Sequence, residues 1–490
     1  MENEGRDGTT RRVIVDLLVT NALLLTMDAD RRIVQDGAIA VSGRDLVAVG
    51  ETEEVLASYD ATRTIDAGGA VVHPGFVECH THVTFHLARG AFGDTMSFHD
   101  VEPRFFVPFL NALDDEAEHA AAQLACLEMV GNGTTCFLEA GTAHSPDAVA
   151  TAAEGIGMRG LVADPWLWDA TGNEDGYNAL PLDRGPASLE RALSLVGNEL
   201  RRNRDDTALV RGHVAIQGMG SASEELERAA KAAADEGHTI LNQHQSYYQV
   251  DAATDDARWG RHPLVHLEEI GVLDDNCVFA HMNILRDDEV EPIVRSGMSI
   301  AWCPGASMMW GVGGAFHGRH CELYHRGVNI ALGSDSSNWG VRFDLGLQGY
   351  LAILTAREKT QTRAALVAED ALAMATINGA KAVGLADRIG SLEPGKRADF
   401  VVRANDVPEA FPLTDPISQL VYSARADSVR TVVIDGRVVL DDRKPTKLDP
   451  PTVFRDVEDA RKRVFDRMGY RFERDAPRTR PVAQTARGGS

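Results

Sequence analysis

The sequence predicts an α/β protein built on a (β/α)8 TIM-type barrel, with a small β-sandwich assembled from both ends of the chain. Two patterns carry that expectation. From 73 to 389, apolar β-type runs alternate with helical patterns over about 300 residues, enough for a parallel sheet that closes into eight strands. Short strands separated by turn residues occupy both flanks, and neither flank alone has strands enough to bury a core, so the two are expected to pair. The division is then 12–72 and 390–450 for the two parts of the sandwich, 73–389 for the barrel, and 451–490 for a C-terminal helix and flexible tail.

The first flank reads as strands at Val13 to Val19, Ala38 to Val41 and Leu46 to Val49, with Gly43 and Gly50 as breaks. Barrel strands are expected at Gly133 to Leu138, Gly160 to Ala163, His213 to Gln217, Thr239 to His244, Val278 to His281, Ser299 to Cys303 and Asn329 to Asp335. Apolar residues at three- and four-residue spacing mark helices at Glu116 to Gly131, Ser188 to Asn203, Ser223 to Glu236 and Arg363 to Val383. The second flank holds a turn at Gly390 feeding a strand to Val402, then a hairpin from Val429 to Leu440 around Asp435-Gly436. A charged helix from Val453 to Met468 is expected to pack on its own barrel or on a neighbour, and the last residues to be mobile.

Composition narrows the class. A formal charge of -24 on 490 residues disfavours nucleic acid and anionic membrane surfaces, which both demand a surplus of Lys and Arg. No apolar run approaches the ~20 residues of a membrane span, and the N-terminus lacks the apolar core of a signal peptide. Six cysteines (Cys79, Cys126, Cys136, Cys277, Cys303, Cys321) show no Cys-x-x-Cys pair, which fits free thiols in a reducing compartment. A cytoplasmic protein is expected.

Chemistry concentrates first in Val71-Val72-His73-Pro74-Gly75-Phe76-Val77-Glu78-Cys79-His80-Thr81-His82. Side chains alternate along a strand, so His80 and His82 point the same way and two imidazoles can grip one ion. Burying them without a metal or hydrogen bonds is costly, although His-x-His alone also arises from incidental histidines. A barrel draws its ligands from the C-terminal ends of several strands. Later strands meet that test, since their runs end in His244, His281 and Asp335. Such ligands suit Zn²⁺, with Fe²⁺ or Mn²⁺ as alternatives, and a water in the open position is acidified from pKa 15.7 towards about 7. Asp335 is placed to take that water's proton and pass it to the leaving group, and His281 to orient the nucleophile or polarise the carbon under attack.

The run His-Pro-Gly-Phe-Val-Glu-Cys-His-Thr-His resembles the first-strand signature of the amidohydrolase superfamily, in its aminohydrolase branch of cytosine, guanine and adenosine-type deaminases and triazine hydrolases. The resemblance extends over nearly the whole chain, through the Glu-Pro-Gly-Lys-Arg-Ala-Asp run at 393–399. It implies the same barrel, one divalent metal held by His80, His82, His244 and Asp335 with His281 beside it, and a homo-oligomer. It also implies hydroxide on the metal attacking a C–N bond of a small nitrogen heterocycle, most directly as a deaminase. Two positions depart from the pattern. The branch carries His-x-x-Glu at the fifth strand, where Glu shuttles a proton; here His244-Gln245-Ser246 is followed by Tyr247, a good hydrogen-bond donor but, with pKa near 10, a poor shuttle. A substrate-touching His-Ala-Pro-like run is replaced by Gly218-Met219-Gly220. These departures keep open the opening of a cyclic amide or imidate, hydrolytic dehalogenation, and a metal-binding member that has lost catalysis.

Loops after the strands supply the substrate contacts. His86 and Arg89 follow the histidine pair and suit a polar or anionic group, though a salt bridge to Asp94 explains Arg89 equally. Gln217 offers an amide in place of the missing run, or simply faces solvent. Trp302, Met308 and Trp310 flank Cys303-Pro304-Gly305, either walling a planar substrate or packing in the core. Ser336 and Asn338 follow Asp335 directly. Glu139, ending the second strand, is the nearest replacement acid or else a salt-bridged barrel residue.

Overall fold

The computed structural model describes residues 12–91, 101–165, 167–169, 182–183 and 188–471. The first flank folds into β1 (Val13–Leu25), β2 (Ile33–Ser42), β3 (Asp45–Glu51), β4 (Tyr59–Asp66) and β5 (Val71–Pro74). The middle supplies β6 (Phe76–Thr81), β7 (Thr134–Glu139), β8 (Arg159–Val162), β9 (Val210–Gly212), β10 (Val214–Gly218), β11 (Leu241–Gln245), β12 (Cys277–His281), β13 (Ser299–Trp302) and β14 (Asn329–Leu332). The second flank adds β15 (Phe400–Arg403), β16 (Val429–Ile434), β17 (Arg437–Asp441) and β18 (Lys444–Pro445).

Strands β6 to β9 form one parallel ladder and β10 to β14 another, and the two meet at both edges. One seam is internal to a strand: β9 and β10 are separated only by His213, whose N–H donates to the Val162 carbonyl at 3.0 Å. At the other, Asp335 N–H donates to the His80 carbonyl at 2.9 Å and His82 N–H to the Asp335 carbonyl at 3.1 Å. Among the described residues, β6, β7, β8, β9 with β10, and β11 to β14 thus close the eight-position ring that the alternation predicts. Strand periodicity sets its two faces. In β12, Cys277 and Phe279 pack outward on Leu264 and Leu267 of helix Pro263–Glu269. Val278 and Ala280 instead share a cluster with Leu138, Leu161, Ala301 and Ala331. Strands on opposite sides of a ring meet only in its lumen, so that cluster is the barrel interior.

Two expected helices are broken, each for a local reason. The Ser188 to Asn203 pattern becomes Leu189–Leu195 and a 3-10 run Asn198–Arg204, divided by Gly197 at φ 81, which only glycine adopts without strain. The Arg363 to Val383 pattern divides into Ala368–Ala375 and Ile377–Ala382 at Thr376, whose hydroxyl donates to the Leu372 carbonyl at 2.6 Å. Strands β13 and β14 stop at Trp302 and Leu332, leaving Cys303 and Asp335 in the turns beyond.

A nine-stranded sheet joins the flanks in the order β18-β17-β16-β15-β5-β1-β2-β3, with β4 on β1. The sandwich strands therefore run as one continuous sheet. In β1 the register slips twice between Val19 and Leu24, beside Asn21 at φ 52, so its first half pairs with β4 and its second with β5. Strand β5 then pairs antiparallel with β15, and Leu17, Ile39 and Leu46 share a core with Phe400 and Val433 from the far end. The C-terminal helix Pro450–Met468 lays Val453, Val457, Val464 and Phe465 against Phe105, Phe109 and Ala121 of its own chain. The tail expected to be mobile, from 472 on, lies outside the described residues, as does Asp94. No described helix is long and apolar enough to cross a membrane, and all six cysteines are free.

A buried ion cluster ties barrel to sheet. Arg159 of β8 reaches Asp399 through two bonds of 2.9 and 3.0 Å and Asp435 at 3.1 Å, and Asp399 also accepts from the Asp435 N–H at 2.8 Å. Removing one partner from such a cluster leaves an uncompensated buried charge. Arg159→Ala is therefore expected to lower the unfolding free energy by about 3–5 kcal/mol, measured by chemical denaturation. A loss below about 1 kcal/mol, typical of an exposed pair, would show that the cluster does not hold the two units together.

Candidate metal centre and active site

Four imidazoles and one carboxylate converge at the C-terminal mouth of the barrel. The ring centroids of His82, His244 and His281 lie 4.9, 4.7 and 4.9 Å from that of His80. His82 and His244 are stacked, with their Nε2 atoms 3.2 Å apart. Asp335 Oδ1 stands 3.4 Å from His82 Nε2 and 4.0 Å from His80 Nε2. All five side chains are buried.

Two of the rings are held through Nδ1, and backbone bonds fix His80 and His281. His244 Nδ1 bonds the Gln217 carbonyl at 3.0 Å; a carbonyl only accepts, so the proton is on Nδ1 and Nε2 turns its lone pair to the cluster. His82 Nδ1 pairs with the Thr142 hydroxyl. Glu78 Oε1 accepts from His80 N–H at 3.1 Å and from Ser334 N–H at 2.8 Å, pinning β6 to the turn after β14. The His281 carbonyl accepts from His320 Nε2 at 2.7 Å, and His320 lies flat on Trp302 with centroids 4.4 Å apart.

The strand ends around the cluster share an uncommon backbone. Met219 (φ 55) follows β10, Ser246 (φ 49) follows β11, His281 (φ 72) ends β12, and Asp335 (φ 70) follows β14. Left-handed non-glycine residues cost about 1–3 kcal/mol each and gather at functional sites. At β12 the effect is visible: His281 shares the parity of outward-facing Cys277 and Phe279, and its backbone turn brings the ring beside His80 instead.

Electrostatics shows what the cluster lacks. Burial, reinforced by the neighbouring rings, drives His80, His82 and His281 well below the usual imidazole range, and burial takes His244 to about 4. Burial, with Glu78 nearby, also pushes the Asp335 carboxyl well up. Both ring nitrogens of His80, Nδ1 of His281 and Oδ2 of Asp335 have no hydrogen-bond partner among the described residues. Unpartnered buried polar atoms are unfavourable, and neutral imidazoles are metal ligands. Two ring nitrogens on one tetrahedral ion, each at about 2.0–2.1 Å, lie ~3.3 Å apart. His82 and His244 already stand at 3.2 Å, and the ligand atoms of His80, His82 and His244 all lie within 4.8 Å of one another. The donor set fits a divalent cation.

The sequence profile of the amidohydrolase family matches residues 71–439. The chain belongs to the amidohydrolase family. A 5-methylthioadenosine/S-adenosylhomocysteine deaminase of Syntrophobacter fumaroxidans is 33% identical to this amidohydrolase over 429 residues, 88% of this chain and 94% of the relative. An adenosine deaminase from Xanthomonas campestris, crystallised with bound zinc, is similar in structure with a TM-score of 0.85 at 26% identity, over 93% of this chain and 100% of that one. An atrazine chlorohydrolase from Arthrobacter aurescens TC1, complexed with zinc, shares the fold with a TM-score of 0.81 at 21% identity, over 91% and 100% of the two chains. This amidohydrolase is a hydrolase of carbon–nitrogen bonds other than peptide bonds.

The remaining expected site residues of this amidohydrolase divide into two groups. Gln217 points into the lumen, because Val214 and Ile216 pack outward, and neither polar atom of its buried carboxamide has a partner among the described residues. Ser336 and Asn338 are buried beyond Asp335, with Asn338 Nδ2 also unpartnered. Tyr247 is buried beside His281, ring centroids 4.4 Å apart, in an apolar cluster with Met219, Tyr248, Trp310 and Val312. The second group turns elsewhere. Trp302 shares the outward parity of Ile300 and supports His320 instead of walling the site. Met308 is 42% exposed on the short helix Pro304–Trp310. His86 and Arg89 both bind Glu128 of helix Asp115–Gly131, His86 Nε2 at 3.3 Å, and the Ser337 hydroxyl meets His86 Nδ1 at 3.1 Å. The Glu139 carboxylate accepts from the N–H groups of Gly141 at 2.8 Å and Thr142 at 3.0 Å, while burial lifts it to about 7. Sequence reasoning missed Glu78, Glu128, Thr142 and His320, which act through other residues and carry no spacing signal.

Glu128 joins the loop after β6 to the one after β14, since its Oε1 also accepts from Phe343 N–H at 3.3 Å. Burial raises its carboxyl, but the hydrogen bonds and charges of His86 and Arg89 outweigh that and hold it at about 2, against an ordinary 4.5. A carboxyl lowered by folding stabilises above its unfolded pKa, and the contribution is lost as pH falls towards the folded value. Glu128→Gln is expected to melt at a lower temperature than the parent at pH 7, with the gap narrowing as pH falls from about 5 to 3. A gap independent of pH over that range would contradict the ionised pairing.

Proposed function

We propose that this amidohydrolase hydrolytically removes an amino group from a nitrogen heterocycle at the barrel mouth. One divalent ion, zinc first with iron or manganese as alternatives, is held by His80, His82, His244 and Asp335. The observation that carries the reading is the buried convergence of neutral imidazoles with unpartnered ring nitrogens upon one carboxylate. When bound, the ion supplies a water acidified towards neutral pKa and a positive charge that polarises the substrate.

The chain's own groups do the rest. The Asp335 carboxylate takes the attacking water's proton and returns it to the departing nitrogen. His281, fixed through its carbonyl by His320, orients that water against the ring carbon. Gln217 presents a donor and an acceptor together, matching a ring edge with adjacent N and N–H groups, while Ser336 and Asn338 border the side nearest Asp335. Tyr247 donates one hydrogen bond to a ring nitrogen, since a phenol with pKa near 10 is a poor proton shuttle. Adenine nucleosides bearing a 5′-thio substituent, the substrates named for the Syntrophobacter relative, are the first class to test. Their apolar arm suits the wall of Met219, Trp310 and Val312. Tyr247 also favours a second reading, because a halide leaves without protonation and needs no acid at that position.

Asp335→Asn is expected to keep its thermal melt and to lose turnover by about 10²–10⁴-fold. Near-normal turnover would reject Asp335 as the proton carrier. A panel pairing aminated and chlorinated forms of one ring separates the two readings by whether ammonia or halide is released. On the first reading, Tyr247→Glu raises ammonia release wherever proton supply is limiting, and leaves halide release unchanged. A fall in both rates assigns Tyr247 to substrate binding alone.

A further inference from the structure

Two arginines are buried among the described residues, and their surroundings differ. Arg159, 6% exposed, is held by the carboxylates of Asp399 and Asp435. Arg403, 7% exposed, closes β15 and forms no ion pair among the described residues. Every acceptor it meets is neutral. Its Nε–H donates to His73 Nε2 at 3.0 Å, which is free to accept because His73 keeps its proton on Nδ1 against the Pro74 carbonyl, 2.7 Å away. Nη1 donates to the Ser428 hydroxyl at 3.2 Å and, at 3.5 Å, to the Arg425 carbonyl. No bond from Nη2 completes the set among the described residues. Burial lowers the guanidinium from 12.5 to about 10, opposed by Asp344 acting through space, so it stays cationic at neutral pH.

Arg403 and Ser428 also line a cleft between the ends of β5 and β15 and the helix Pro416–Tyr422. Val71, Leu413, Leu420 and Ala424 give it an apolar wall. One carboxylate, Glu409, shares the lining, but two bonds of 3.2 Å from Arg425 already meet its charge. The Arg403 Cζ stands 5.5 Å from the ring of Phe76, which begins β6, whereas the histidine cluster lies at the far end of that strand. The cleft is therefore on the opposite side of the barrel from the metal centre.

We propose that this cleft is a second ligand site, one that takes a small carboxylate with a short apolar body. Such a group supplies the counter-charge that Asp399 and Asp435 give to Arg159, and its oxygens accept from the donor that Arg403 has to spare. The apolar body covers the wall around Leu420 and Ala424, which gains by leaving water. A neutral amide of the same shape brings only the second of these contributions. No residue of the metal cluster takes part, so the inference stands apart from the function proposed above.

The experiment titrates the full-length, zinc-loaded protein with hexanoate and with hexanamide, following binding by ligand-observed NMR. Hexanoate is expected to bind at least tenfold more tightly than hexanamide. Arg403→Met keeps the apolar stem and is expected to abolish that preference. Ala424→Phe, which keeps the guanidinium and fills the cleft, is expected to weaken hexanoate at least tenfold, so the test does not depend on one variant folding. His82→Ala, changed at the other end of the barrel, is expected to bind hexanoate like the parent. Equal binding of acid and amide by the parent would overturn the proposal. So would hexanoate binding that survives both Arg403→Met and Ala424→Phe but disappears in His82→Ala, because the carboxylate would then be sitting at the metal centre.

Discussion

Neutral imidazoles buried with their nitrogen lone pairs turned towards one another form an arrangement that needs a positive charge between them. Desolvation keeps the rings from taking up protons. Every buried polar atom left unpartnered costs about 1–3 kcal/mol, and His80, His281 and Asp335 together leave four such atoms by name. A divalent ion would partner the atoms that face it, one nitrogen per ring, and gives the carboxylate a reason to ionise. Binding the ion and relieving the strain of the site are thus one event.

Barrel closure and site assembly also share their bonds. Asp335 seals the seam between the first and last strands with its own N–H and carbonyl while presenting its carboxylate to the histidines, and Glu78 fastens the same seam one layer below. The left-handed residues at the ends of β10, β11 and β12 and after β14 bring side chains inward that simple alternation would send elsewhere. A ladder of parallel strands supplies the rigidity that keeps such strain from relaxing.

Much of this was legible in the residues. The barrel followed from alternation of apolar runs, and the pairing of the flanks from strand counts too small to stand alone. His80, His82, His244, His281 and Asp335 were legible as a set because each closes a β-type run, and strand ends in a barrel converge. What the sequence hid was anything that depends on the face a side chain takes at a strand end. Trp302 closes its strand just as His281 does, yet Trp302 keeps its parity and faces the helices whereas His281 reverses it. Arg89 found Glu128, thirty-nine positions away on a neighbouring helix, which no local pattern connects. Thr142 and His320 were invisible for the same reason, since hydrogen bonds to the clustered histidines leave no periodicity behind. The continuous terminal sheet turned on two register slips around Asn21, a detail below the resolution of a hydrophobic pattern.

X-ray absorption spectroscopy of the zinc-loaded protein tests the central claim most directly, because it reports ligand type and distance without reference to substrate or rate. The arrangement described predicts a nitrogen and oxygen shell at about 2.0–2.1 Å with the outer-shell scattering of at least three imidazoles, and no sulfur near 2.3 Å. A shell of oxygen alone, or a sulfur contribution from Cys303, whose thiol can form an alternative group with His80 and His281, would contradict it.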